Sequence, residues 1–349
     1  PWIGPGLVDL QVNGYRGLDL NTLPLVPELV ERLAIELQSQ GVTSFLPTLV
    51  SNADNEIEQA LVAIATACSR SSSTRAAVLG VHLEGPFISP KDGPRGAHDA
   101  AHVKAPDWEL LQRWQEAAQG MIRMITVAPE WPGAVPFVAR CVESGITVAI
   151  GHTAATAEQV RGAIAAGARI STHLGNGTHP QLPRHPNYLW EQLARDELWA
   201  SVIADGFHLP DSVIKVILKV KGRRAIVVSD AVSLSGMPPG NYETPIGGEV
   251  VLTPAGKLHL RQSPELLAGS AQMLPTAMSI LVERGLASLQ DAWEMCSVGP
   301  ALFLELPTAA GLAVGAPADL AVIERRDIAF SISATYKSGE AVFAAVSTA

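Results

Sequence analysis

The sequence predicts an α/β fold, a (β/α)8, TIM-like barrel that carries a small, incomplete β-sandwich domain. Three observations predict it. Eight short runs rich in Val and Ile recur along the chain, the segments between them have helical spacing, and polar residues stand at the same end of one run after another.

The runs fall at 7–13, 43–50, 76–83, 122–128, 146–150, 168–172, 200–204 and 225–228. The intervals read as helices. The segment 156–166 is Ala-rich and stops at Gly167, and 211–221 opens on Asp211 as a cap and closes at Gly222. Eight βα units close a barrel, and barrel enzymes keep their active sites at the C-terminal ends of the strands. Gln11, Asn13, Glu84, Glu130, His152, His173, His208 and Asp230 each fall at or just past such an end. A lone buried histidine is usually a hydrogen-bonded core residue, and a lone carboxylate usually marks a loop or a cap. Polar residues repeating at one end of successive strands are not explained by core packing, which selects apolar side chains there.

The barrel is expected over 5–310. Past Asp230 the alternation stops, and 238–264 reads as a β-hairpin insertion whose strands, 249–252 and 257–260, flank a Thr-Pro-Ala-Gly turn. Helices are expected at 272–284 and 289–304. The tail, 311–349, returns to short strands at 319–323 and 341–346, the C-terminal strands of a small β domain. Two strands are too few for such a domain, so its N-terminal half is expected upstream of Pro1 or absent from this chain.

At 349 residues, 47% of them hydrophobic, the chain can bury a full core without a disulfide or metal staple. Its formal net charge of -9, with no Lys/Arg cluster to offset it, argues against nucleic acid or an anionic membrane and for a small-molecule substrate. Cys68, Cys141 and Cys296 are far apart, odd in number and without metal-binding spacing, as expected of reduced core residues in a cytoplasmic protein. No apolar run reaches the roughly 18–20 residues that span a bilayer, and residues 1–14 lack the basic region of a signal peptide.

A catalytic metal site needs about three protein ligands and an open position. Glu84, His152 and His173 leave three different strands and can converge on one ion near the barrel axis. Zinc is the expected ion, and iron(II), cobalt or manganese also suits this set. Asp230 is the candidate general base, taking a proton from the water that the metal activates and returning it to the leaving amine. The alternative role for Asp230 is to orient a ligand histidine. Leu267-Ala268-Gly269-Ser270-Ala271 lacks the pattern of a nucleophile elbow, and phosphate-loop and dinucleotide fingerprints are absent.

The motifs resemble a known family. Pro5-Gly6-Leu7-Val8-Asp9-Leu10-Gln11-Val12-Asn13-Gly14, His82-Leu83-Glu84-Gly85-Pro86-Phe87, Gly96-Ala97-His98 and Ala128-Pro129-Glu130 are similar in order and spacing to N-acetylglucosamine-6-phosphate deacetylases of the amidohydrolase superfamily. Gly151-His152-Thr153, Thr172-His173-Leu174, Ala204-Asp205-Gly206-Phe207-His208, Ser229-Asp230-Ala231, Leu267-Ala268-Gly269-Ser270 and Gly315-Ala316-Pro317-Ala318-Asp319-Leu320 continue the match over essentially the whole chain. The resemblance implies a barrel of the metal-dependent hydrolase type. It implies Glu84, His152 and His173 as metal ligands, Asp230 as the acid/base, and His98, Asn176, Gly177 and His208 as substrate-binding residues. Arg184 matches an arginine that in relatives reaches across a homodimer interface to the substrate phosphate, a task suited to its bidentate fork. Gln11 and Asn13 stand where many amidohydrolases carry His-Xaa-His, which implies the one-metal version of the site.

The departures sit in one loop. Relatives usually read Thr-His-Leu-Phe/Tyr-Asn-Ala-Met, and this chain has Thr172-His173-Leu174-Gly175-Asn176-Gly177-Thr178-His179-Pro180; further on, Arg184-His185-Pro186-Asn187 replaces Arg-Glu-Pro-Gly. His179 and His185 are gained, either as positive character near Arg184 or as exposed loop residues. The implied activity is hydrolysis of N-acetylglucosamine-6-phosphate to glucosamine-6-phosphate and acetate by a cytoplasmic homodimer. The alternatives are deacylation of an unphosphorylated amino sugar or an N-acyl amino acid, and a catalytically silent sugar-binding relative. A hydantoinase-like activity is disfavoured, because no Lys ends the fourth strand to bridge two metals.

Overall fold

Eight parallel strands form one sheet in sequential order. They are Leu7–Val12, Val42–Val50, Val81–Glu84, Ile122–Val127, Thr147–Ile150, Ile170–Ser171, Trp199–Ile203 and Ala225–Val228. The computed structural model describes residues 1–244, 248–326 and 329–345. A parallel bridge between Val12 and Ala231 joins the last strand to the first, so the sheet curls into a barrel. Inward-facing Val8, Leu10, Leu46, Met124, Ala149, Ile170, Ile203, Ile226 and Val228 fill its interior below the mouth, with Ile203 reaching the cavity floor. Outward-facing apolar residues of the same strands pack under the helices, as alternation along a strand buried on both faces requires. No described helix is long and apolar enough to cross a membrane.

The helices follow their local chemistry. Ala157–Ala165 opens on a capping box in which Thr156 accepts from the Gln159 amide and the Gln159 side chain accepts from Thr156. Three departures from the sequence reading have a local chemical cause. Residues at the start of the expected third strand, 76–83, belong to the helix Ser72–Ala77, capped by the Ser71 hydroxyl, and the strand begins at Val81. Pro210, not Asp211, is the N-cap of Asp211–Lys221, and the Asp211 carboxylate instead accepts from Arg284 at 2.8 Å. The helix expected over 289–304 breaks at Ser297 into Leu289–Cys296 and Val298–Phe303, because Pro300 has no N–H to continue the ladder.

The insertion is a three-stranded sheet, Gly240–Thr244, Gly248–Leu252 and Leu258–Leu260, and the segment after it, 265–269, roofs one side of the barrel mouth. A separate antiparallel sheet orders Trp2–Pro5, Leu320–Arg326, Ala329–Lys337 and Glu340–Ala344. Val346, placed in a strand by the sequence, lies outside the described residues. The sheet is fastened to the barrel by Lys337, whose Nζ donates to Asp319 (2.6 Å) and to Ser44 (2.9 Å), and by Trp293, whose Nε1 donates to the Pro5 carbonyl at 2.8 Å.

Candidate metal centre and active site

The mouth of the barrel is assembled from backbone that L residues rarely adopt. His152, His173 and Asp230 each lie two residues past a strand end with φ of 47°, 28° and 48°, three of the seven positive-φ residues other than glycine among the described residues. Such a conformation costs about 1–3 kcal/mol per residue and persists where the surroundings over-determine it. Here it turns each side chain from the line of its strand into the mouth.

Glu84 ends the third strand, and Gly85 makes that ending possible. A Cβ on Gly85, whose φ is +96°, would lie 2.2 Å from the Ser51 hydroxyl, the same hydroxyl that meets His98 Nδ1 at 3.0 Å. Gly85→Ala is therefore expected to displace both Glu84 and His98, lowering metal content and melting temperature together; elemental analysis and thermal melting check it.

Three ligand atoms form a tight triangle. His173 Nε2 is 2.8 Å from Glu84 Oε1, His152 Nε2 is 3.1 Å from His173 Nε2, and His152 Nε2 is 3.3 Å from Glu84 Oε1. A tetrahedral ion with bonds of about 2.0–2.2 Å holds its ligands about 3.3–3.6 Å apart, so a small outward relaxation suffices. His152 Nδ1 donates to the Pro94 carbonyl at 2.8 Å, which leaves the Nε2 lone pair facing a carboxylate oxygen. That juxtaposition is repulsive unless a proton or a metal cation lies between them, and two imidazoles with one carboxylate make a donor set that fits a divalent metal. His98 joins Glu84 and His152 in a group whose ligand atoms lie within 4.8 Å of one another. Its Nδ1 is taken by Ser51, and its ring stands edge-on to His152 at 4.6 Å. His98 thus borders the triangle, positioned to touch whatever binds there.

Burial alone would raise the Glu84 carboxyl, and the two imidazoles facing it outweigh that and hold it well below the usual carboxylate range. In the metal-free site, burial and then the Glu84 charge push the Asp230 carboxyl up to about 8, and a cation at the triangle would bring it back down. Burial and then the neighbouring His152 push His98 down to about 3, keeping it neutral. One layer below, His82 Nε2 meets the Thr126 hydroxyl at 2.8 Å, which meets Thr172 at 2.8 Å, tying three strands under the ligands.

Gln11 and Asn13 act as donors. Gln11 Nε2 donates to Glu84 Oε1 at 2.8 Å and to Asp230 Oδ1 at 3.0 Å, and Asn13 Nδ2 donates to the same Asp230 oxygen at 2.9 Å. A bulge between Asp9 and Val12 swings Gln11 inward; Pro47 stands opposite, and the Val12 N–H goes instead to the Thr48 hydroxyl at 3.1 Å. One oxygen of Asp230 is thereby tied and the other left to the chemistry.

The cavity above holds about 550 Å³, within the range of small-molecule sites, and is lined by Asn13, Glu84, His98, His152, His173, Asn176, Gly177, His208 and Asp230. His208 is oriented by Asp205, whose carboxylate accepts its Nδ1–H at 2.7 Å and two backbone N–H groups. Asn176 Nδ2 is buried without a partner and so has a donor to offer. The segment after the insertion adds Glu265 to the lining, and the described lining contains no Lys or Arg.

Other candidates fall elsewhere. Glu130 accepts from the Thr153 hydroxyl at 2.6 Å and the Ala154 amide at 2.9 Å, shaping the loop after His152 without entering the cavity. His179 is held by Tyr188, with Nδ1 3.0 Å from its hydroxyl, and His185 is exposed. Arg184 is exposed, has no ion pair among the described residues, and does not line its own chain's cavity. The Pro94 carbonyl, Ser51 and Asp205 escaped the sequence reading. Asp205, three residues before a site histidine, was the one findable by spacing.

The Amidohydrolase family pattern matches residues 2–342. An N-acetylglucosamine-6-phosphate deacetylase of Bacillus subtilis is 32% identical over 91% of this chain and 80% of its own. An N-acetylgalactosamine-6-phosphate deacetylase of Escherichia coli O157:H7 is 31% identical, over 86% of this chain and 77% of its own. Among solved structures, a mutant N-acetyl-D-glucosamine-6-phosphate deacetylase of Mycobacterium smegmatis, in complex with N-acetyl-D-glucosamine-6-phosphate, superposes with a TM-score of 0.86 at 29% identity, covering 97% of this chain and 86% of that one.

Proposed function

The chain belongs to the Amidohydrolase family, and on that premise we propose that it hydrolyses the N-acetyl amide of N-acetylglucosamine-6-phosphate to glucosamine-6-phosphate and acetate. The observation that carries the reading is the triangle of Glu84, His152 and His173 beside a buried carboxylate with one free oxygen. Glu84, His152 and His173 would hold a divalent ion, zinc in our reading, which when bound would supply Lewis acidity toward the acyl carbonyl and the attacking water. The free oxygen of Asp230 takes the proton of that water and delivers it to the departing sugar nitrogen. Gln11 and Asn13 keep the carboxylate in one rotamer meanwhile. His98, His208 and the Asn176 amide bind and orient the substrate from the walls, and the 265–269 segment shields the cavity from solvent.

The cavity's own charged lining is acidic, Glu84, Asp230 and Glu265, so a phosphate needs a cation from outside. We assign that cation to Arg184 of a second copy in a homodimer. Beside the Arg184 loop, the helices Tyr188–Ala194 and Asp211–Lys221 expose Trp190 (56%), Val216 (44%) and Val220 (49%), an apolar face of the kind that copies bury against each other. Val216→Asp is expected to convert dimer to monomer in light scattering and to depress kcat/KM for the phosphorylated substrate. A dimer that persists would move the interface elsewhere. The three free cysteines, all buried, accord with a cytoplasmic setting.

Acetate release from N-acetylglucosamine-6-phosphate, N-acetylgalactosamine-6-phosphate and N-acetylglucosamine, measured on protein of known metal content, tests the activity. Preference for the first supports the proposal, and preference for the galactosamine ester shifts it to the C4 epimer. Turnover of none, with metal present, removes it.

A further inference from the structure

The ring of His152 is gripped by the turn that carries Pro94. Residues 91–98 fold back on themselves, with Arg95 N–H donating to the Lys91 carbonyl at 2.9 Å and Gly96 N–H to the Gly93 carbonyl at 3.0 Å. Pro94 O, at the top of this turn, takes the Nδ1–H of His152. Gly96 lies flush on the ring, since a Cβ there would sit 3.1 Å from Cε1; Gly177 closes on it too, with a Cβ position 2.7 Å from Nδ1. The turn also packs on the divergent loop, where a Cβ on Gly93 would lie 3.1 Å from the His179 Cα.

One long side chain fastens the turn. Arg95 Nη1 donates to the His98 carbonyl at 2.6 Å, and Nη2 pairs with Asp92. Asp92 is 92% exposed, so its ion pair contributes little. The bond to His98 is different, for it ties residue 95 to the end of the turn at 98, is charge-assisted, and ends on a residue that is 7% exposed. Through it the Pro94 carbonyl, the His98 ring and the His152 ring are held as one unit.

We infer that Arg95 is a positioning residue for the metal centre, holding the 91–98 turn so that Pro94 O keeps the proton of His152 on Nδ1 and its Nε2 turned to the ion. A carbonyl only accepts, so this contact selects the Nδ1–H tautomer, and partners of this kind are worth about 10–100-fold in metal affinity. The inference rests on the ligand set proposed above.

The test titrates Zn2+ alone into metal-stripped protein against a chromophoric chelator, with the melting temperature of the metal-free protein measured alongside. Arg95→Met is expected to weaken Zn2+ binding about 10–100-fold while leaving that melting temperature near wild type. Arg95→Lys, which keeps a charged donor for the His98 carbonyl, should recover most of the affinity, and Asp92→Ala should bind as wild type. Wild-type affinity in Arg95→Met overturns the inference. So does an equal loss in Arg95→Met and Arg95→Lys with a lowered metal-free melting temperature, which assigns Arg95 to folding alone. His173→Ala serves as the separate control: if it binds Zn2+ as tightly as wild type, the ligand set itself is wrong, whatever Arg95 does.

Discussion

Asp230→Asn is expected to lower kcat by about 10²–10⁴-fold with little change in KM, because the amide retains the shape but cannot take a proton. The bonds from Gln11 and Asn13 end on Oδ1, an atom that the asparagine carbonyl reproduces, so the side chain should stay in place. The same variant makes a second, independent prediction in metal-free protein. The Asp230 carboxyl is raised from 3.8 to about 8, so between those values the fold holds a proton that the unfolded chain releases. Its contribution to stability is full below 3.8 and is lost as pH rises through 8. Metal-free Asp230→Asn should therefore melt above metal-free wild type, by a margin that grows from pH 5 to pH 8. A margin independent of pH would mean that the carboxyl is ionised throughout, and the burial argument fails.

Arg184→Ala is expected to raise KM for the phosphorylated substrate by about 10–100-fold, the worth of a charge-assisted contact, with kcat nearly spared. Deacetylation of the unphosphorylated sugar should be unchanged. Location is testable as well as effect. In a hybrid dimer of one Arg184→Ala chain and one Asp230→Asn chain, an arginine acting across the interface leaves one complete site. An arginine acting within its own chain leaves none. Each hybrid dimer should thus recover about half the wild-type activity, and a randomly exchanged equal mixture, half of it hybrid, about a quarter; no restoration would return Arg184 to its own chain.

The barrel was legible because its signals are periodic. Eight runs of Val and Ile, seven of them with a named polar residue at or just past the C-terminal end, are visible without coordinates, and Glu84, His152, His173 and Asp230 meet at the mouth those ends form. Errors arose where local chemistry overrode pattern. Ser71 captured residues at the head of the expected third strand for a helix, and Pro300 cut a continuous-looking helix in two. The strand Ala329–Lys337 alternates, Phe330 and Ile332 inward against Ser331 and Ser333, but its small polar residues weaken that signal and it is not among the tail strands named from the sequence. In the site, Gln11 and Asn13 were seen as absent ligands, and their donor role needed the positions of Glu84 and Asp230. The Pro94 carbonyl was beyond reach, because every residue has one and only folding decides which matters.

The left-handed backbone at His152, His173 and Asp230 has an evolutionary meaning. Each is a position where glycine would relax the main chain and remove the chemistry in one step. Under the proposed mechanism strain and turnover sit on the same three residues, so a change that relieves the one removes the other. A duplicated copy of this gene released from selection for catalysis would lose activity at these three codons while its barrel stood as firmly as before, a route by which enzymes of this kind pass to silent relatives of unchanged shape.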